Sequence, residues 1–237
     1  MTTDGIVLHQ WEASPFCRKV GHALRAKHLP FTTIDHNGLR GLRALRLSKV
    51  GKLPVLDVQG QRIQDSTRIA RHLDEAFPEH PLYPTDSRER ALVELWEDWS
   101  DEVLYWFEGH YRLTNPVALN HFIGMMCAGR PTWEQHVLKA LLKVGGSISM
   151  KAQGIGRMSP ETVHAEFLRH LDRIDLCLAD TGWLVGKCRT MADIAVSSQL
   201  LEFVRTSPER HLVLDRPHLG AWARKLMHDH GMPATRG

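Results

Sequence analysis

The 237-residue sequence holds no apolar run of membrane-spanning length, so no transmembrane helix is expected. Residues 1–10 also lack the basic start and apolar block of a secretory signal, which makes the cytosol the expected compartment. Cysteine is sparse: Cys17, Cys127, Cys177 and Cys188 lie far apart with no paired zinc spacing, arguing against a disulfide framework or a zinc site. The 15 histidines are scattered too, and His228-Asp229-His230 reads as a solvated helix end and not as metal ligands. Charge of one sign is equally lacking. A formal net charge of +3 spread along the chain offers neither nucleic acid nor a membrane surface a basic footprint.

What remains is an ordinary globular composition, with enough apolar residues for one large or two modest cores. Ile6 to Gln10 reads as a short strand, Pro15 to about His28 as an amphipathic helix, and Pro30 to Ile34 as a second strand, a parallel right-handed βαβ unit. Asp35 to Gly51 is a basic connector, helical in places. Lys52 to Val58 and Gln61 to Ile63 form a hairpin around Gln59-Gly60, and Asp65-Ser66-Thr67 opens a helix through Ile69, Ala70, Leu73 and Phe77. Three prolines in Pro78 to Pro84 punctuate the chain. Beyond them strand signals stop. Helices are expected over Ser87 to Leu113, Val117 to Cys127, Thr132 to Val144, Pro160 to Ala179 and Pro217 to Met227, with Gly145 to Ser159 a loose loop. Thr190 and Asp193 have the spacing of a capping box for one more. The expected architecture is therefore an α/β unit over residues 1–78, a linker at 79–86 and an all-helical unit over 87–237.

Chemistry is expected in the turn Trp11-Glu12-Ala13-Ser14-Pro15-Phe16-Cys17. Ser caps helices and Pro starts them, so Ser14 places a hydroxyl beside unpaired backbone N–H groups, where the helix dipole favours an anion. Ser14 and Cys17 have the spacing of a Cys-x-x-Cys redox pair whose nucleophilic position is serine. A hydroxyl can donate to another molecule's thiolate but cannot form a mixed disulfide. The simpler reading makes Ser14 only a cap and Cys17 only a small core residue. At the second helix start, Asp65 and the Ser66 hydroxyl and N–H suit the head group of an α-amino acid, although capping alone accounts for them.

Four features in order, S-P-F-C after the first strand, K-L-P-V-L before the hairpin, Asp65-Ser66 at a helix start, and W-L-V-G-x-x-x-T-x-A-D-I-A in the helical half, resemble the cytosolic glutathione transferase superfamily. The resemblance spans nearly the whole chain. It implies a thioredoxin-like N-terminal domain, an all-helical C-terminal domain and glutathione as co-substrate, with no metal. It further implies a cis Pro54, Leu53 backbone groups pairing with the cysteinyl unit, and Asp65 and Ser66 holding the γ-glutamyl end. Lys52 is expected at the glycyl carboxylate, Phe16 at the same site, and Ser14 at the sulfur, where family members carry Ser or Cys. Thr190 and Asp193 match a structural capping motif.

The expected reaction joins glutathione to a small, largely apolar electrophile, with Trp11, Glu12, Ala13, Trp106 and His110 as candidates for the second-substrate pocket and a homodimer as the assembly. Two departures stand out: Asp65 replaces the common Glu, and the region from about Asn115 to Ser159 is longer than expected and could reshape the pocket. Two alternatives stay open. One is thiol-disulfide exchange or peroxide reduction at Cys17; the other is a non-catalytic binding protein on the same fold.

Overall fold

The computed structural model describes residues 5–229. Strand β1 (Val7–Gln10), helix α1 (Pro15–Ala26) and strand β2 (Thr32–Asp35) form the parallel unit, with Val7 opposite Thr32. Strands β3 (Val55–Val58) and β4 (Gln61–Gln64) form the hairpin, and β3 adds antiparallel to β1, giving the order β2-β1-β3-β4. The central strands bring Leu8, Val55 and Leu56 into the core, fully buried, whereas Thr-Thr-Ile-Asp of β2 is exposed along its length, as suits an edge. The basic connector is a 3₁₀ stretch (Gly38–Arg43) running into a single turn, α2 (Ala44–Leu47), and α3 (Ser66–Ala76) follows the hairpin.

No helix or strand forms between Ala76 and Ser87, yet this connection is tethered. Asp74 accepts the Leu82 N–H at 2.7 Å and the Lys27 ammonium at 2.9 Å, and Leu82 C=O accepts the Met191 N–H at 2.8 Å. Helix α4 (Ser87–Trp99) then runs through a π-helical turn (Ser100–Leu104) into α5 (Tyr105–Thr114). Next come α6 (Pro116–Met126), α7 (Thr132–Gln153), α8 (Pro160–Leu178), α9 (Met191–Thr206), the turn α10 (His211–Leu214) and α11 (Pro217–Asp229). All of α9 except Arg205 is buried, because it packs against α1 on one side and α4 and α5 on others. His228 is exposed and His230 lies outside the described residues.

The loose loop expected over Gly145 to Ser159 is not there. Helix α7 continues to Gln153, and a 3₁₀ turn (Ile155–Arg157) follows Gly154, whose φ is +120°. Each glycine costs a helix interior about 1 kcal/mol relative to alanine, which is why Gly145-Gly146 read as a break. Tertiary packing offsets that cost: a Cβ on Gly146 would stand 2.5 Å from Leu113 Cδ1, so the missing side chain lets α7 lie against α5.

The capping box of α9 is complete. Asp193 accepts the Thr190 N–H at 2.9 Å, the Thr190 hydroxyl at 3.1 Å, the Leu184 N–H at 3.1 Å and the Trp222 indole N–H at 3.1 Å. It ties α9, α11 and the loop before them at a fully buried point. Replacing it with alanine strands several buried donors, so Asp193→Ala is expected to lower the unfolding free energy by about 2–4 kcal/mol in urea titrations. Asp193→Asn, which keeps one acceptor oxygen, should lose clearly less.

Candidate functional site

A cleft of about 180 Å³ opens where the two halves meet. Its wall takes Phe16 from α1, and Val50, Lys52, Leu53 and Pro54 from the chain entering β3. The Leu53-Pro54 bond is cis. From the start of α3 come Asp65 and the nearly buried Ser66, and from the π-helical turn of the helical half come Asp101 and Glu102. Phe16, Lys52, Leu53, Pro54, Asp65 and Ser66, expected in one site, thus line one cavity. Asp101 and Glu102 were not anticipated. They lie in the midst of a long helix, with no turn or cap to mark them.

Asp65 sits at φ +79°, a left-handed conformation uncommon for a residue with a side chain, and its Oδ1 accepts the Arg68 N–H at 3.0 Å. It thereby caps α3 from an exposed position. Asp101 Oδ2 accepts the Lys19 ammonium at 2.6 Å and the Thr67 hydroxyl at 3.3 Å. Burial pushes its carboxyl above the usual range despite the neighbouring Lys19, and its buried Oδ1 has no hydrogen-bond partner. The cleft thus offers one ammonium and three carboxyl groups together with a helix start.

Ser14 caps α1 in extended conformation. Its N–H donates to Trp11 C=O at 3.0 Å, its Oγ accepts the Cys17 N–H at a long 3.5 Å, and its hydroxyl lies within hydrogen-bonding reach of the Cys17 thiol. It is half-buried and stands two residues before Phe16, outside the set of residues lining the cleft. Cys17 is fully buried and burial pushes its thiol up to about 12, which disfavours the thiolate that exchange or peroxide reduction requires. This burial speaks against the redox reading of Cys17.

The residues proposed for a second-substrate pocket scatter. Ala13 is fully buried in an apolar cluster with Leu119, Phe122 and Ile123, and so cannot line an open pocket. Trp11 packs over Gly41, where a Cβ would stand 2.0 Å from its ring, and its indole N–H donates to His36 C=O. Glu12 is held by both guanidinium nitrogens of Arg205, at 2.8 and 2.9 Å, and by Arg18 at 3.2 Å. Burial alone would raise its carboxyl, but Arg205 and Arg18 hold it below the usual range. All three are engaged in contacts within the fold. Trp106 and His110 lie half-buried on α5; the Trp106 ring meets that of Tyr105, which in turn meets that of Phe16 at 5.0 Å. Among the described residues no group of three or more His, Cys, Asp or Glu side chains is placed to hold a metal ion.

Comparison with known proteins bears on the family and the fold. Residues 8–81 match the family model "Glutathione S-transferase, N-terminal domain" and residues 129–225 match "Glutathione S-transferase, C-terminal domain". Glutathione S-transferase U7 of Arabidopsis thaliana is 32% identical over 101 residues, covering 42% of this chain and 44% of that protein. The match thus spans less than half the length of this curated relative. Among solved structures, FzlA from C. crescentus superposes with a TM-score of 0.63 at 25% identity, covering 94% of this chain and 87% of that one. A glutathione S-transferase from Methylobacterium radiotolerans, solved with glutathione sulfonate, gives a TM-score of 0.61 at 22% identity, covering 98% and 97%. This second likeness shows the fold alone.

Thiol accessibility checks the placement of the turn. With iodoacetamide at neutral pH, peptide mass mapping should find label on the exposed Cys177 and Cys188 and none on Cys17. In urea Cys17 should label as well. Native labelling of Cys17 would contradict its buried position.

Proposed function

Because the chain belongs to the glutathione S-transferase superfamily, we propose that it binds glutathione in this cleft and uses Ser14 to hold the sulfur as a thiolate for attack on a small, largely apolar electrophile. One observation carries the reading: residues from four separate segments, Phe16, Lys52 to Pro54, Asp65-Ser66 and Asp101-Glu102, meet in a single cavity beside the N-terminus of α1. A tripeptide with an ammonium and two carboxylates needs such a mixed lining. In this proposal the Ser66 hydroxyl and the N-terminus of α3 take the γ-glutamyl carboxylate, while Asp65 takes its ammonium. The Leu53 backbone pairs with the cysteinyl unit, and Lys52 meets the glycyl carboxylate.

The sulfur then lies at the start of α1. A thiol of pKa about 8.5 must drop by about two units to be mostly ionised at neutral pH, which corresponds to roughly 2.7 kcal/mol. A hydrogen bond to a charged group contributes about 1.5–3 kcal/mol and a helix N-terminus about 0.3–1. Ser14 on α1 supplies both. Proximity of the bound electrophile provides the remaining acceleration. Trp106 and His110 on α5, next to the Tyr105–Phe16 contact, are the proposed neighbours of that electrophile. Burial lowers the His110 pKa, which favours its neutral ring. We assign the protein to the cytosol and to a homodimer on the same reading.

A second reading, a glutathione-binding protein without turnover, is favoured by Ser14 lying outside the set of residues that line the cleft. Retention on immobilised glutathione with no activity toward a panel of aryl halides, enones and peroxides would establish it.

The first reading makes separable kinetic predictions. Ser14→Ala should lower kcat/KM about 100-fold with an aryl halide and raise the pKa of the bound thiol by about two units, read from its ultraviolet thiolate absorbance. Asp65→Ala should raise the KM for glutathione and leave kcat nearly unchanged. Cys17→Ser should alter neither. Undiminished turnover in Ser14→Ala would overturn the mechanism.

A further inference from the structure

Helix α7 turns an apolar ridge away from the protein. Trp133, Val137, Leu141, Val144 and Ile148 are each 39–64% exposed, while Leu138 and Met150 on its other faces are buried in the fold. The last four outward residues are spaced 4, 3 and 4 apart, the a/d spacing of a two-stranded helical seam, and the ridge runs about 22 Å. Ala140, Gly145 and Ser147 flank it, and Gly145 has nothing within 4 Å of where a Cβ would lie, so no packing within this chain accounts for that glycine.

The charge around the ridge has one sign. From Arg130 to Arg157 the only acid is Glu134, which is buried, held by Arg130 and accepting the Leu39 N–H at 2.9 Å. Lys143 and Lys151 on α7 are exposed. The segment docked at the N-terminal end of α7 by that Leu39 bond adds Arg40, Arg43 and Arg46 around the exposed Leu42 and Leu45, with no acid between His36 and Lys52.

We propose that the outward face of α7 is a docking surface for an acidic amphipathic helix of a partner protein, with apolar side chains at its a and d positions and Asp or Glu beside them. A second copy of this chain docking α7 on α7 would set Lys143 and Lys151 against their own kind with no exposed acid to offset them. A lipid surface needs a broad bulky face, whereas this seam is narrow and edged by Gly145, Ser147, Ser149 and Lys151. A helix packs closely over small residues, and acidic side chains complement the lysines.

The probe is a fluorescein-labelled synthetic peptide of about three heptads with Leu and Ile at a and d and Glu at e and g, read by anisotropy against the full chain at low salt. A twin peptide with Lys for Glu is the control. The acidic peptide should bind at least about ten-fold tighter than the basic one and weaken as salt rises. Leu141→Glu and Ile148→Glu should each abolish binding, while circular dichroism and retention on immobilised glutathione stay as in the wild type. That last readout keeps this surface separate from the cleft. Equal binding of both peptides, binding undiminished by Leu141→Glu, or no binding of either would overturn the proposal. So would self-association in sedimentation velocity that Leu141→Glu removes, or co-pelleting with phosphatidylserine vesicles that Leu141→Glu removes.

Discussion

Lys19 is the point on which the arrangement turns. It lies midway along α1, 1% exposed, and its ammonium reaches Glu97 at 2.7 Å and Asp101 at 2.6 Å across the boundary between the two halves, with Thr67 of α3 at 3.0 Å. A buried ammonium costs several kcal/mol of lost hydration and is tolerated only with carboxylates held against it. Those carboxylates come from α4 and the turn that follows it, so α1 cannot turn or slide without stranding charge in the interior. The same contact sets Asp101 at the rim of the cleft and holds Phe16, three residues before Lys19, in its wall. Tyr83 donates to Glu97 at 2.8 Å, drawing the inter-domain connection into the cluster.

A second set of buried charges anchors the start of α1 from the other side. Arg18 approaches Glu202 at 3.5 Å, Arg205 links Glu202 to Glu12, and Arg112 pairs with Glu108 and stacks on Phe122 at 4.0 Å. Burial, followed by repulsion from Glu202, pushes the Glu108 carboxyl up to about 7 even with Arg112 beside it. A carboxyl whose folded pKa lies above its unfolded value destabilises the fold increasingly as pH rises between the two values, here from about 4.5 to about 7. The cluster is thus a costly way to hold helices together. What it secures is geometry: Glu12 is fixed two residues before Ser14, and the turn expected to meet sulfur cannot relax independently of α9. A shift of one half against the other would leave these buried charges unpaired.

Most of the secondary structure was legible in the residues. The βαβ unit, the hairpin, Ser14-Pro15 and Asp65-Ser66 as helix starts, and the capping box of α9 follow from period, proline and capping chemistry, all of which act over a few residues. Gly145-Gly146 misled because a local penalty was outweighed by contact with Leu113, thirty-three residues earlier. Trp11 to Ala13 show the same dependence on distant partners. Their place in the turn beside Ser14 suggested access to ligand, and the contacts they make with Gly41, Arg205 and the Leu119 cluster, all remote in sequence, could not be read from that turn.

The sequence alone therefore determined the identity of the helix starts, the order of strands and helices, and the family resemblance, because each rests on neighbours along the chain. Only the tertiary structure decided which acids reach the cleft, that Cys17 is fully buried, and that the apolar ridge of α7 faces outward. Those outcomes depend on what packs against a residue from far away in the chain, and burial, not residue type, sets the charge and accessibility of a side chain.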